Sequence, residues 1–103
     1  MQTHKAKRLA IIIESIMQAR LTDILKEKGV TGWTVLPVLG GSGRSGEWSR
    51  EGQVSRASGM VQVVCIIKPE RLEPLLDDIL KVVDRHIGVV TIGDVDVLRA
   101  ERF

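Results

Sequence analysis

Tyrosine is absent from this chain of 103 residues, and cysteine, histidine and the aromatic residues are scarce. One cysteine, Cys65, excludes a disulfide framework or a cysteine-rich zinc site within one chain, and its place in an apolar run makes it a core residue in a reduced compartment. Two histidines, His4 and His86, have no neighbouring motif that gives them a catalytic task. A structural histidine is the simpler reading of His86, while its place beside Gly88 leaves a ligand-binding role open. Long apolar runs are also missing. The stretch IIIESIMQAR is broken by Glu14 and Gln18, and no segment approaches the roughly 20 apolar residues of a membrane span, so a cytoplasmic protein without membrane insertion is expected. Excess charge is small: a formal +2 does not imply nucleic acid by itself, and although Lys5, Lys7 and Arg8 at one end and Arg99 and Arg102 at the other leave a local basic patch open, simple solvated charge is the plainer reading.

What is present describes a folded domain. Hydrophobic residues make up 44% of the chain, and a single domain over residues 1–103 is small enough to gain from burying further surface by self-association. Leu9 to Ile13 reads as a first strand, buried on both faces. Ser15 is placed to cap a helix whose apolar positions are Ile16, Met17, Leu21, Ile24 and Leu25, and Gly29 stands where that helix stops. Trp33 to Leu39 is a second strand, and Pro37 within it requires an edge or a bulge. Val61 to Ile67 is a third. After Pro69, the spacing of Leu72, Leu75, Leu76, Ile79, Leu80 and Val83 predicts a second helix, with Pro74 confined to its first turn. Gly88 to Leu98 reads as a last strand interrupted at Gly93 and Asp94.

The order βαββαβ is the ferredoxin-like, α+β pattern of two helices over one face of a four-stranded antiparallel sheet. The other face has no cover within the chain, and strands that are apolar on both sides, as at Val61, Val63, Val64, Ile66 and Ile67, make a partner subunit the simplest cover. Fold alone does not give function. Base stacking by RNA-recognition modules needs aromatics on the central strands, and Trp33, Trp48 and Phe103 all lie outside the Val61 to Ile67 run. Metal transfer needs paired thiolates, which a lone Cys65 does not supply, so no metal is expected.

The glycine-rich GGSGRSG, Gly40 to Gly46, opens a connection of about twenty polar residues where hairpin strands normally need two to five. Successive glycines free the backbone to curl its amides inward around an anion, with Ser42, Arg44 and Ser45 as added donors. It is not a Walker or dinucleotide fingerprint, because no lysine follows the glycines and a strand, not a helix, comes next.

These features together resemble the PII signal-transduction proteins: the element order, the Gly32-Trp33-Thr34-Val35 stretch, the Gly40 to Arg44 entry into the long loop, and Asp94-Val95 in the last strand. The resemblance implies a homotrimer, an adenine nucleotide in each cleft between subunits, and a T-loop, about 41–59, that docks onto a target protein. Carried onto this chain, it implies that Gly32, Trp33 and Thr34 hold the adenine. Gly40 would then lie against the phosphates, Gly88 and His86 belong to the short B-loop region, and Arg99 or Arg102 reach the phosphates.

Departures narrow the reading. DRHIGVV has one glycine and no lysine where the family has a lysine-bearing B-loop, which weakens the hold on a terminal phosphate and disfavours ATP against ADP or AMP. The loop has no tyrosine to modify, and Ser45 stands where the family has glutamine. The GGSGRSGEW segment resembles instead the PII-like proteins associated with carboxysome and bicarbonate-transport genes, which bind adenine nucleotides together with bicarbonate. That resemblance implies bicarbonate at Gly41, Ser42, Gly43 and Arg44, and docking through Trp48, Arg50 and Arg56 to a bicarbonate transporter or a carboxysome-linked protein. Trp48 folding back over its own loop is the plainer alternative. A sensor rather than an enzyme is expected; the alternatives are a nitrogen-regulatory protein sensing ATP/ADP and 2-oxoglutarate, and a nucleotide-hydrolysing enzyme at the same cleft.

Overall fold

The computed structural model describes residues 1–43, 46–49, 59–84 and 88–99. Strand β1 (His4–Glu14) is followed by a 3₁₀ turn (Ser15–Met17) and helix α1 (Gln18–Glu27), and β2 (Thr34–Val38) continues into a hairpin of β3 (Gly40–Gly43) and β4 (Gly46–Ser49). Then come β5 (Met60–Ile67), a 3₁₀ turn (Pro69–Arg71), α2 (Leu72–Val83) and β6 (Gly88–Val97). The main sheet runs β2-β5-β1-β6, with every neighbouring pair antiparallel. The ferredoxin-like expectation therefore holds.

Alternation along the strands decides which residues meet the helices. Leu9, Ile11 and Ile13 of β1 and Val61, Val63, Cys65 and Ile67 of β5 share one face through the Leu9–Cys65, Ile11–Val63 and Ile13–Val61 pairs. Leu21 and Leu25 of α1 and Leu75, Ile79, Val82 and Val83 of α2 close over that face as one buried cluster. Burial pushes the Cys65 thiol up to about 11. The unfolded thiol loses its proton near pH 9 and the folded one near 11, so the unfolded chain binds fewer protons in that interval. The associated stability, about 2–3 kcal/mol, is fully present below pH ~9 and is lost as the pH rises through about 11. Iodoacetamide at pH 8 is expected to leave folded Cys65 unmodified while alkylating it within minutes in denaturant; equal rates would place the thiol outside the core.

Gly29 ends α1, as its sequence position predicts. It has φ +78°, its N–H donates to the Lys26 carbonyl and the Val30 N–H to the Leu25 carbonyl. This is the paired closing motif that satisfies the last carbonyls of a helix, with buried Val30 packed beneath it. Pro37 sits on the edge strand β2, and Pro74 in the first turn of α2, where its missing N–H costs nothing.

Four expectations need correction. The first strand begins at His4, not Leu9, because Lys5 and Lys7 pair across β6 with Asp96 and Asp94. The last strand is continuous through Gly93 and Asp94 for the same reason: Asp94 binds Lys7, which holds its carboxyl below the usual range, and Gly93 pairs with Arg8. Those ion pairs also offset Lys5 and Lys7, which weighs against a basic patch at this end of the chain. Ser15 does not cap α1; it starts the 3₁₀ turn and donates its N–H to the Gly59 carbonyl at 2.8 Å. Ile16 and Leu80, despite helical spacing, are exposed.

Among the described residues, no helix or strand covers the second sheet face. Ile12, Leu36, Val64, Ile66, Val89 and Val95 project to it by register. They form an apolar surface around the buried small residues Ala6 and Ala10.

Candidate functional site

The closing motif of α1 sends the chain directly to the edge of the sheet. Thr31, Gly32 and Trp33 lead into β2, where Thr34 pairs with Val64 of β5. Between this segment and β5 lies an open groove of about 330 Å³ lined by Thr31–Thr34 and Val64–Ile66. Gly32 has open space where a side chain would stand. Trp33 is half-buried against the core, with the Lys26 ammonium 5.9 Å from its ring centroid.

The lining consists of backbone, two threonines and apolar side chains, with no ionised group. Such a recess accepts a flat, largely apolar heterocycle and reads its edge by hydrogen bonds, but it has no cation for a phosphate. Cys65 belongs to this lining by its place in β5, while its side chain lies in the helix-side core. The predicted trio Gly32, Trp33 and Thr34 is thus brought together. Thr31, Val64 and Ile66 were missed by sequence reasoning; the pairing of Thr34 with Val64 would have indicated two of them, but register across a long connection is not written in either strand alone.

The other predicted residues lie elsewhere in the protomer. Gly40 and Gly88 stand at one end of the sheet, since Val38 pairs with Met60 and Gly88 with Ile13, on opposite edges about three strand spacings, or ~14 Å, apart. Arg99 follows Val97, which pairs with His4 at the opposite end. Among the described residues, one protomer therefore does not gather Gly32–Thr34, Gly40, Gly88 and Arg99 into one site. Gly88 also has a packing explanation: a Cβ there would lie 2.9 Å from Val83 Cγ1 and 3.3 Å from the Ile12 carbonyl oxygen.

Gly41, Ser42 and Gly43 depart from the curled anion nest expected of them. They form an extended strand in register with Trp48, Glu47 and Gly46, and the one positive-φ glycine among the described residues is Gly29. Pairing with β4 gives the glycines a ladder to join, which a nest would forgo. Trp48 is placed by its backbone opposite Gly41. Arg44, Ser45, Arg50, Arg56, His86 and Arg102 lie outside the described residues. Among the described residues, no group of three or more histidine, cysteine or acidic side chains is placed to hold a metal, and no helix is long and apolar enough to cross a membrane.

The described residues thus form a small α+β module with an open, ligand-sized recess at its sheet edge. The family model for nitrogen regulatory protein P-II matches residues 6–102, and the chain belongs to that family. The resemblance carried by Gly32–Val35, Gly40–Arg44 and Asp94–Val95 is borne out. CPII, a nitrogen regulatory PII-like protein from Thiomonas intermedia K12, solved with ADP, AMP and bicarbonate, superimposes with a TM-score of 0.90 at 27% identity, covering 99% of this chain and 96% of that one. CPII solved with ADP and bicarbonate gives 0.86 at 28% identity, covering 99% and 97%. A PII-like signalling protein from Thermus thermophilus shares the fold, with a TM-score of 0.80 at 22% identity over 100% and 99% of the two chains. Among curated proteins, none matches the chain by sequence.

Proposed function

We propose that residues 1–103 form one PII-like domain that works as a cytoplasmic, nonenzymatic homotrimer, binding ADP or AMP in the clefts between subunits together with bicarbonate. The observation that carries this reading is the match over nearly the whole chain to CPII bound to those ligands. The neutral groove at Thr31–Thr34 takes the adenine. Its lack of cations, and the distance of Arg99 from it in one protomer, support phosphate binding by Arg99 or Arg102 of a neighbouring subunit. The apolar sheet face supports the assembly that makes such sharing possible.

Bicarbonate sits at Gly41–Gly43 and Arg44, where binding breaks the β3–β4 pairing and turns the amides toward the anion. That rearrangement converts ligand binding into a changed docking arm over residues 41–59, with Trp48, Arg50 and Arg56 presented to the target. The target class is a bicarbonate transporter or a carboxysome-linked protein. Match to the nitrogen regulatory family model supports a second reading, a sensor of ATP/ADP and 2-oxoglutarate.

Trypsin separates bound from free arms. Cleavage after Arg44, Arg50 and Arg56 is expected to slow several-fold when ADP and bicarbonate are both present, and ATP incubated with the protein is expected to remain intact. Unchanged cutting at saturating ligand would contradict ligand control of the arm. Protection by ATP with 2-oxoglutarate alone would favour the nitrogen-sensing reading, and steady release of ADP from ATP would make the protein an enzyme.

A further inference from the structure

The groove's wall begins two residues after Gly29, and the Gly29 carbonyl is held by a residue distant in sequence. Arg71, in the 3₁₀ turn before α2, donates from Nη1 to the Gly29 carbonyl oxygen at 3.1 Å. A Cβ on Gly29 would stand 2.9 Å from that same nitrogen, so the guanidinium occupies the space left by the missing side chain. The left-handed backbone requires glycine here, and its missing side chain leaves room for the guanidinium.

This contact lies next to the groove. A recess of about 40 Å³ is lined by Gly29, Lys68 and Arg71 together with Thr31 and Ile66. Thr31 and Ile66 line the adenine groove as well. The segment is fixed at Val30, which is buried and bonded back to Leu25, and at Trp33, which packs on the core. Gly32, between them, has no neighbour within 4 Å of a would-be Cβ. The direction in which the chain leaves α1 therefore sets how far Thr31–Thr34 stands from Val64–Ile66. A second tie, Lys28 to Asp78 at 2.9 Å, joins the same end of α1 to α2 and keeps Arg71 at a constant reach.

We infer that Arg71 is a positioning residue of the nucleotide groove: through the Gly29 carbonyl it fixes the exit of the chain from α1, and so the width of the groove. This rests on the reading of the groove as the adenine site. A charge-assisted hydrogen bond to a carbonyl is the kind of contact whose loss lets a short segment relax without unfolding the core, because Arg71 itself is exposed.

The test uses the full chain carrying Trp48→Phe, so that Trp33 is the sole tryptophan. Arg71→Met removes the donor and keeps the aliphatic stem; Arg71→Lys restores a donor. Arg71→Met is expected to weaken ADP binding about tenfold, equivalent to ~1.4 kcal/mol. It is also expected to raise acrylamide quenching of Trp33 in the ligand-free protein, with the melting temperature within about 3 °C of the parent. Arg71→Lys is expected to recover most of both. Unchanged ADP affinity and unchanged quenching in Arg71→Met would overturn the inference. So would equal losses in both variants that track a fall in melting temperature, which is the mark of a structural role. If the parent fails to bind ADP, the adenine reading fails, and Trp33 quenching still decides whether Arg71 shapes this wall.

Discussion

Ile12→Asp is expected to turn a trimer into a monomer: light scattering at micromolar concentration should report about three chain masses for the parent and one for the variant. Ile12 lies on the central strand β1, half-buried, on the face opposite the helices, between Gln62 of β5 and Val89 of β6. Leu36 and Val89 on the same face are 43% and 57% exposed in the protomer. Covering that face by sister subunits buries apolar area worth roughly 25 cal/mol per Å². An aspartate at its centre would be taken out of water without a partner, which costs several kcal/mol per subunit, and three copies meet in one assembly. In the separated protomer the same carboxylate stays hydrated, and the helix-side core of Leu9, Ile11 and Ile13 is untouched. Far-UV circular dichroism should therefore be unchanged. A variant that keeps the parent's mass, or a parent that is itself monomeric, would remove the basis for a site shared between subunits.

How far the sequence led depends on the kind of signal. Apolar periodicity placed both helices and four strands, and single residues with strict backbone demands were read correctly: Gly29 as a helix end, Pro37 on an edge, Pro74 in a first turn. Cys65 as a core residue followed from its apolar neighbours. What failed was everything set by partners far along the chain. The polar start of β1 and the Gly93–Asp94 stretch of β6 look like strand breaks alone and become a ladder only when Lys5 and Lys7 meet Asp96 and Asp94. Gly41–Gly43 allow a curled nest or an extended strand equally, and pairing with Gly46–Trp48 selects the strand. Ile16 and Leu80 show that helical spacing does not ensure a facing neighbour. At the site, local sequence indicated Gly32–Thr34, whereas Val64 and Ile66 reach the groove through β5 register, and Arg71 reaches only the neighbouring recess, from the turn before α2.

Two anions near one cleft repel each other unless positive groups lie between them, and in the function proposed above those groups would be Arg44, the loop-base amides and Arg99 or Arg102. Opening β3 from β4 costs free energy once, so the ligand that binds second meets a loop base already rearranged. ADP and bicarbonate must then strengthen each other's binding by the same factor, about 5- to 150-fold for couplings of ordinary size. Arg44→Ala is expected to abolish the bicarbonate effect while keeping much of the ADP affinity. Thr34→Val, which changes the groove and not the anion site, should weaken ADP with or without bicarbonate. The decisive measurement is calorimetric titration of the wild-type protein with ADP in bicarbonate and in chloride at equal ionic strength. Binding about fivefold tighter or more in bicarbonate is the expected result. Equal affinity in the two salts, with tightening of ATP binding by 2-oxoglutarate instead, would contradict it.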